Sequence, residues 1–268
     1  MGTPPDNEPD NLAGSFPVQS PAVPSPANEG RRVAAGQGFS WIGAAWTLFK
    51  AAPGSWVACF LIFVVIMILL AVVPLLGNIA GALLSPILIG GLMLGCRDIG
   101  RDEEMMVSHL FAGFKERSGP LFVLGLLEFG LSLVAMLIAA LIIFLTVGAM
   151  IVGILMGNSP QPVDMLAPEF WLAMALVLAV VVGLFIPVTM AAWFAPALVA
   201  LNGVEPLQAL KSSFFACLKN FIPFLVYGIA MLVLAIVATI PLGLGWLLLG
   251  PVMIASIYTA YRDIFFTT

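Results

Sequence analysis

The sequence predicts an all-α integral membrane protein: six transmembrane helices arranged as three parallel-oriented hairpins, each preceded by a cytoplasmic amphipathic helix. Three observations predict it. Hydrophobic residues make up 62% of the 268 residues and charged ones only 9%, against about 25% charged in a soluble domain. Lys50 is the sole charge between Gln37 and Arg97, and Glu128 stands alone between Arg117 and Asp164; such runs exceed the ~20 apolar residues that cross a bilayer as a helix. Finally, with six spans all ten basic residues fall on one side: Arg31, Arg32, Lys50, Arg97, Arg101, Lys115, Arg117, Lys211, Lys219 and Arg262.

The first 30 residues have neither the basic n-region nor the apolar h-region of a signal peptide. Seven prolines among Ala, Ser and Asn make residues 1–32 a disordered cytoplasmic tail, because this composition buries no core. The net charge of −4 comes partly from Asp6, Glu8, Asp10 and Glu29 in that tail. Residues 33–268 form one membrane domain.

The six spans are expected near 56–76, 79–98, 121–145, 170–194, 222–241 and 243–262. Pro74, Gly77 and Asn78 mark a short turn between the first two, and Pro241, Gly243 and Gly245 mark another between the last two. Short turns make tight helical hairpins. The middle hairpin has a longer outer loop at 157–169 with Pro160, Pro162 and Pro168. Basic residues collect in cytoplasmic loops, so both termini are expected on the cytoplasmic side. The run Leu121–Met156 is long enough to raise a seven-span alternative, at about 54 Å as one helix. Splitting it puts Lys211, Lys219 and Arg262 outside, so one long helix, broken or tilted near Gly148, is expected. Its projecting part, about 146–156, should pack on the fourth span, another protomer or a partner protein, since apolar surface beyond the bilayer marks a contact.

A coarse triplication runs through the domain, in units of about 38–100, 104–203 and 206–266. Each opens with an amphipathic stretch. Phe39, Ile42, Trp46 and Phe49 form the first apolar face, Met106, Leu110 and Phe114 the second, and Leu207, Leu210, Phe214, Cys217 and Phe221 the third. The stretches end in Phe49-Lys50, Phe114-Lys115 and Leu218-Lys219, and Pro53, Pro120 and Pro223 follow. Lys50, Pro74, Pro86, Arg97 and Asp98 of the first unit correspond to Lys219, Pro241, Pro251, Arg262 and Asp263 of the third. The middle unit offers two prolines, Pro187 and Pro196, and has no Arg-Asp pair.

No catalytic, cofactor or metal site is legible. There is no HExxH, glycine-rich nucleotide loop or nucleophile elbow, and Cys59, Cys96 and Cys217 form no CxxC pair, so they read as buried thiols. His109, the single histidine, has no acid at a helical offset and reads as an interfacial ring. Glu128 falls about 12 Å inside the third span; an ionisable group there is a candidate functional residue, with a contact to a nearby Lys or Ser as the structural alternative. Arg97-Asp98 and Arg262-Asp263 sit where spans exit, and neighbours in sequence do not face each other on a helix, so each pair is expected to contact other groups or headgroups. The six tryptophans suit aromatic belts, and Gly91 with Gly95 suits close helix packing.

The run Trp41-Ile-Gly-Ala-Ala-Trp46-Thr-Leu-Phe49-Lys50, with Pro53 and Trp56, resembles the opening of a family of bacterial six-helix inner-membrane proteins that has no assigned activity. Leu110-Phe111-Ala-Gly-Phe114-Lys115, Trp193-Phe194-Ala195-Pro196-Ala197-Leu198-Val199, and Ser213-Phe214-Phe215-Ala216-Cys217 with Asn220 resemble its later signatures. The resemblance covers about 33–266 and implies the inner membrane without implying chemistry. In layout the chain is also similar to membrane domains attached to some glycerophosphodiesterases, whose catalytic domain it lacks.

The functional expectation is a non-enzymatic membrane protein acting in lipid interaction or as an accessory subunit of a membrane complex. Lys50, Arg97, Lys115, Arg117, Lys219 and Arg262 are the candidate contacts to anionic headgroups or to a protein partner. A transporter or channel for a hydrophobic or lipid-like cargo is the alternative, with Glu128 on its path. No cofactor and no nucleic-acid partner are expected.

Overall fold

Lipid offers no hydrogen bonds to a polypeptide backbone, so an apolar chain of this kind satisfies its amides within helices. The structure, a computed structural model, describes residues 30–155 and 168–266, and all its elements among them are helical. In order they are α1 (Gln37–Ala51), α2 (Pro53–Ala71), α3 (Leu76–Ile99), a 3-10 turn (Val107–Phe111), α4 (Ala112–Glu116), α5 (Ser118–Leu155), α6 (Pro168–Asn202), α7 (Pro206–Lys219), α8 (Phe221–Thr239) and α9 (Trp246–Phe265). The tail through residue 29 and the outer loop at 157–167 lie outside the described residues.

Among the described residues five helices are long and apolar enough to cross a membrane: α2, α3, α5, α6 and α8. The sixth expected span is α9. It is helical, but its composition falls short, because Ser256, Tyr258, Thr259 and Tyr261 interrupt it before Arg262 and Asp263. Packing explains the difference. α9 touches α1, α2, α3, α6 and α8, so polar side chains on it meet protein instead of hydrocarbon.

α3, α6 and α9 touch one another and form the centre, while α2, α5 and α8 pack beside them in sequence order. The short segments follow a rotating rule. The 3-10 turn and α4 pack on α3, α7 packs on α6, and α1 closes the ring on α9. Each opening segment thus lies on the inner helix of the unit before it. The ring is uneven: α3 packs closely on α5 and α9 meets α2, but α6 and α8 stand apart, bridged by Trp193 and Phe194 against Phe224.

Several expectations about faces are corrected here. On α1 the buried positions are Gly38, Trp41, Ala45 and Phe49, while Phe39 and Trp46 of the anticipated face are exposed. On α7 the buried face is Ala209, Leu210, Ser212, Ser213, Ala216 and Cys217, and Leu207 and Phe221 are exposed. The second stretch is no single helix, since its Pro-free run Val107–Glu116 divides into a 3-10 turn and one short α-helix. On α1 and α7 the physical reason is the same. Lipid is as apolar as a protein core, so large apolar groups can face outward, and small ones let helices approach.

Trp41 and Trp56 do not join an aromatic belt, being 2% and 0% exposed; Trp46, Trp171 and Trp246 are exposed. Two turn glycines are sterically required. A Cβ on Gly77 would lie 1.6 Å from the Leu70 carbonyl oxygen, and one on Gly245 would lie 2.5 Å from Ala238 Cα. α5 runs unbroken through Gly148, about 57 Å at 1.5 Å per residue. Within 146–156 most side chains lie outside the described residues; Val152 is exposed.

Candidate functional site

Two cavities hold the candidate polar side chains Arg97, Arg262 and Glu128. The first is at the C-terminal ends of the inner helices. It has a volume of about 200 Å³ and is lined by Arg97 of α3 with Gly100 and Arg101 beyond it, Leu201 and Asn202 of α6, Tyr258, Tyr261 and Arg262 of α9, and Phe266 beyond it. The Tyr261 hydroxyl donates to Asn202 Oδ1, tying α9 to α6 at the wall of this cavity. Cations at helix C-termini offset the partial negative charge of the last carbonyls, which accounts for basic residues here. Three arginines around one hollow go beyond that need, because each guanidinium presents a fork suited to phosphate or carboxylate.

The two Arg-Asp pairs differ, and the expectation for them is corrected. Arg97 Nε does reach its neighbour, donating to Asp98 Oδ1 at 3.0 Å. Asp98 is 9% exposed, and its Oδ2 lies 3.0 Å from His109 Nε2. His109 Nδ1 accepts the Met106 amide at 2.9 Å, so Nε2 carries the ring proton and donates to Asp98. His109 therefore has an acid partner after all, brought in by chain reversal at residues 100–106. The reversal needs close approach: a Cβ on Gly91 would lie 2.4 Å from the His109 carbonyl oxygen.

Asp263 is held differently, by Arg31 at 2.5 Å and by the Trp41 indole at 2.9 Å, not by Arg262. Arg31 also reaches Ile264 and Asp263 carbonyls. Buried Asn220 donates to the Arg31 carbonyl and accepts the Val33 amide, and Lys219 Nζ donates to Gly30. Residues 30–33 are in this way stitched to the ends of α7 and α9. Of the remaining candidates, Lys50 and Lys115 are exposed at the ends of α1 and α4, and Arg117 lies against Gly203 beyond α6. The structure gathers Arg97 and Arg262 with Arg101, which the sequence reading had not singled out, and leaves Lys50, Lys115, Arg117 and Lys219 outside that cavity.

The second cavity, about 250 Å³, lies deeper and contains Glu128. α5 turns Leu121, Leu124 and Gly125 toward α3, and Glu128 continues that helical stripe. Its wall includes Ser85, Pro86 and Ile89 of α3, Thr189, Trp193 and Pro196 of α6, and Ile257 of α9. Glu128 Oε1 is shielded from solvent and has no hydrogen-bond partner. The anticipated contact to a Lys or Ser is thus absent for this atom: Ser85 donates to Ala82 and Thr189 to Ile186 within their own helices.

The cysteines are free and buried. Burial pushes the Cys217 thiol up to about 12, against the smaller opposing effect of a Ser213 hydrogen bond. Ser213 itself joins α7 to α6, accepting the Phe194 amide and donating to the Met190 carbonyl, the pair an α-helix ordinarily joins directly. Among the described residues no group of three His, Cys, Asp or Glu side chains is placed to hold a metal.

A probable inner membrane protein of Burkholderia thailandensis is 32% identical over 208 residues, covering 76% of this chain and 75% of the relative. The chain belongs to that protein's family. It is a helical, multi-pass member of it, and the resemblance seen in the aromatic-Lys-Pro signatures is accounted for at this level. No protein-family model and no solved structure matches the chain.

Proposed function

We propose that the protein is a non-enzymatic component of the bacterial inner membrane that holds anionic lipid headgroups at its cytoplasmic end. The observation that carries this reading is the cavity lined by Arg97, Arg101 and Arg262. Its place where three inner helices end suits a headgroup, and each basic residue at an anionic membrane surface contributes about 1 kcal/mol. Lys50, Lys115, Arg117 and Lys219, outside that cavity, add positive charge to the same cytoplasmic side in this reading.

The test is lipid mass spectrometry on detergent-purified wild type and on Arg101→Gln/Arg262→Gln, which leaves the Arg97–Asp98 bond intact. Wild type is expected to retain anionic phospholipid and the variant to lose most of it. Equal retention would reduce the arginines to neutralising helix ends.

The reading requires six spans with both termini cytoplasmic, as the one-sided basic residues favour. α9, about 30 Å long at 1.5 Å per residue, matches the ~30 Å hydrocarbon core and serves as the sixth span in spite of its polar inner face. Reporter domains fused at 163 and at 268 should lie on opposite sides of the membrane; finding both on one side rejects this topology.

The Glu128 cavity favours a second reading, passage or storage of a lipid-like molecule. Glu128 Oε1, shielded from solvent with no hydrogen-bond partner, costs stability within a membrane helix.

A further inference from the structure

We infer that the Glu128 cavity is a binding site for an amphiphilic organic cation, a primary ammonium head on a hydrocarbon chain. The inference rests on the second reading above, a lipid-like ligand, and names its chemistry; it is independent of the arginine cavity, with which this one shares no wall residue.

The head is deduced from the hydrogen bonds that the wall leaves open. Glu128 Oε1 has none. The Ser85 and Thr189 hydroxyl protons are already directed at carbonyls of their own helices, so toward a ligand both oxygens have only lone pairs to offer. Besides the Glu128 carboxyl group itself, the side-chain donor on the wall is the Trp193 indole, and no Lys, Arg or His lines it; a carboxyl group beside an ammonium head gives up its proton and pairs with it. An acceptor-rich hollow with one carboxyl group calls for a ligand that brings donors and positive charge. Trp193 adds an aromatic face, which attracts an ammonium within about 6 Å of the ring.

The chain is deduced from the neighbouring groove. Where α6 and α8 stand apart, an almost wholly apolar groove of about 420 Å³ opens on the outside of the bundle, lined by Ile186, Phe221, Leu225, Ile229 and Leu232 among others. Thr189 and Trp193 belong to the walls of both hollows. A molecule entering sideways from the bilayer can leave its hydrocarbon in the groove and present its head past these two residues to Glu128. The break in the ring at α6 and α8 sets the entry there; the equivalent positions at α3–α5 and α9–α2 are packed.

The experiment measures binding of dodecylammonium, dodecanol and dodecyl sulfate to the full chain in nanodiscs of zwitterionic lipid, by calorimetry and by tryptophan fluorescence. Dodecylammonium is expected to bind wild type at least tenfold more tightly than dodecanol. Glu128→Gln should erase that preference, and Trp193→Phe should weaken it, while thermal unfolding shows both variants folded. Equal binding of dodecanol and dodecylammonium, unchanged by Glu128→Gln, overturns the cation assignment and leaves a lipid-like ligand standing. No binding of any of the three overturns the lipid-like reading as well. Preference for dodecyl sulfate contradicts the inference directly.

Discussion

Replacing Asp98 by Ala should lower the stability of the purified protein by about 3–5 kcal/mol, the cost typical of removing one partner from a buried charged pair. Asp98 is 9% exposed and accepts from two groups at once, Arg97 Nε and His109 Nε2, each at 3.0 Å. Its loss leaves the His109 ring proton without an acceptor and Arg97 without a counter-charge. It also frees the segment that His109 fastens, the 3-10 turn and α4, which lie on α3. Room for a replacing water is scarce where a Cβ on Gly95 would come 3.1 Å from His109 Cβ. Asp98→Asn should cost less, since it still offers one acceptor. Reversible unfolding in mixed micelles checks the ranking, and a loss under 1 kcal/mol for Asp98→Ala would mean that water already satisfies this cluster.

Glu128→Leu should shift stability the other way, by about 1–3 kcal/mol toward the folded state. A buried polar atom without a partner carries a desolvation penalty of that order, and Leu of similar size removes it. Ser85 and Thr189 lose nothing, because their protons are bonded within their own helices. Measured in the same assay, destabilisation on Glu128→Leu would show that the carboxyl group does make a structural contact. Stabilisation paired with loss of dodecylammonium binding is the signature of a residue kept for its ligand at the expense of the fold.

The two residues show how far the chain could be read directly. Glu128 was legible because its signal is local: one charge in an apolar span of known length. The pairing of His109 with Asp98 was not, since a search at helical offsets misses residues that meet only where the chain reverses between α3 and the 3-10 turn. Arg101 escaped for the same reason; nothing beside it in sequence indicates that Arg262 and Tyr258 share its hollow. Trp41 and Trp56 read as interfacial aromatics and prove to be core, Trp41 bonded to Asp263 far along the chain.

Sequence by itself determined that the chain is helical and that it crosses a membrane several times. These are properties of single segments measured against a bilayer. Tertiary structure alone decided which face of each helix turns inward, why α9 tolerates polar side chains, and which charges meet in a cavity. In lipid the outside of a bundle is as apolar as its inside, so hydrophobicity does not record the inward face; small residues, glycine contacts and pairings between distant segments do.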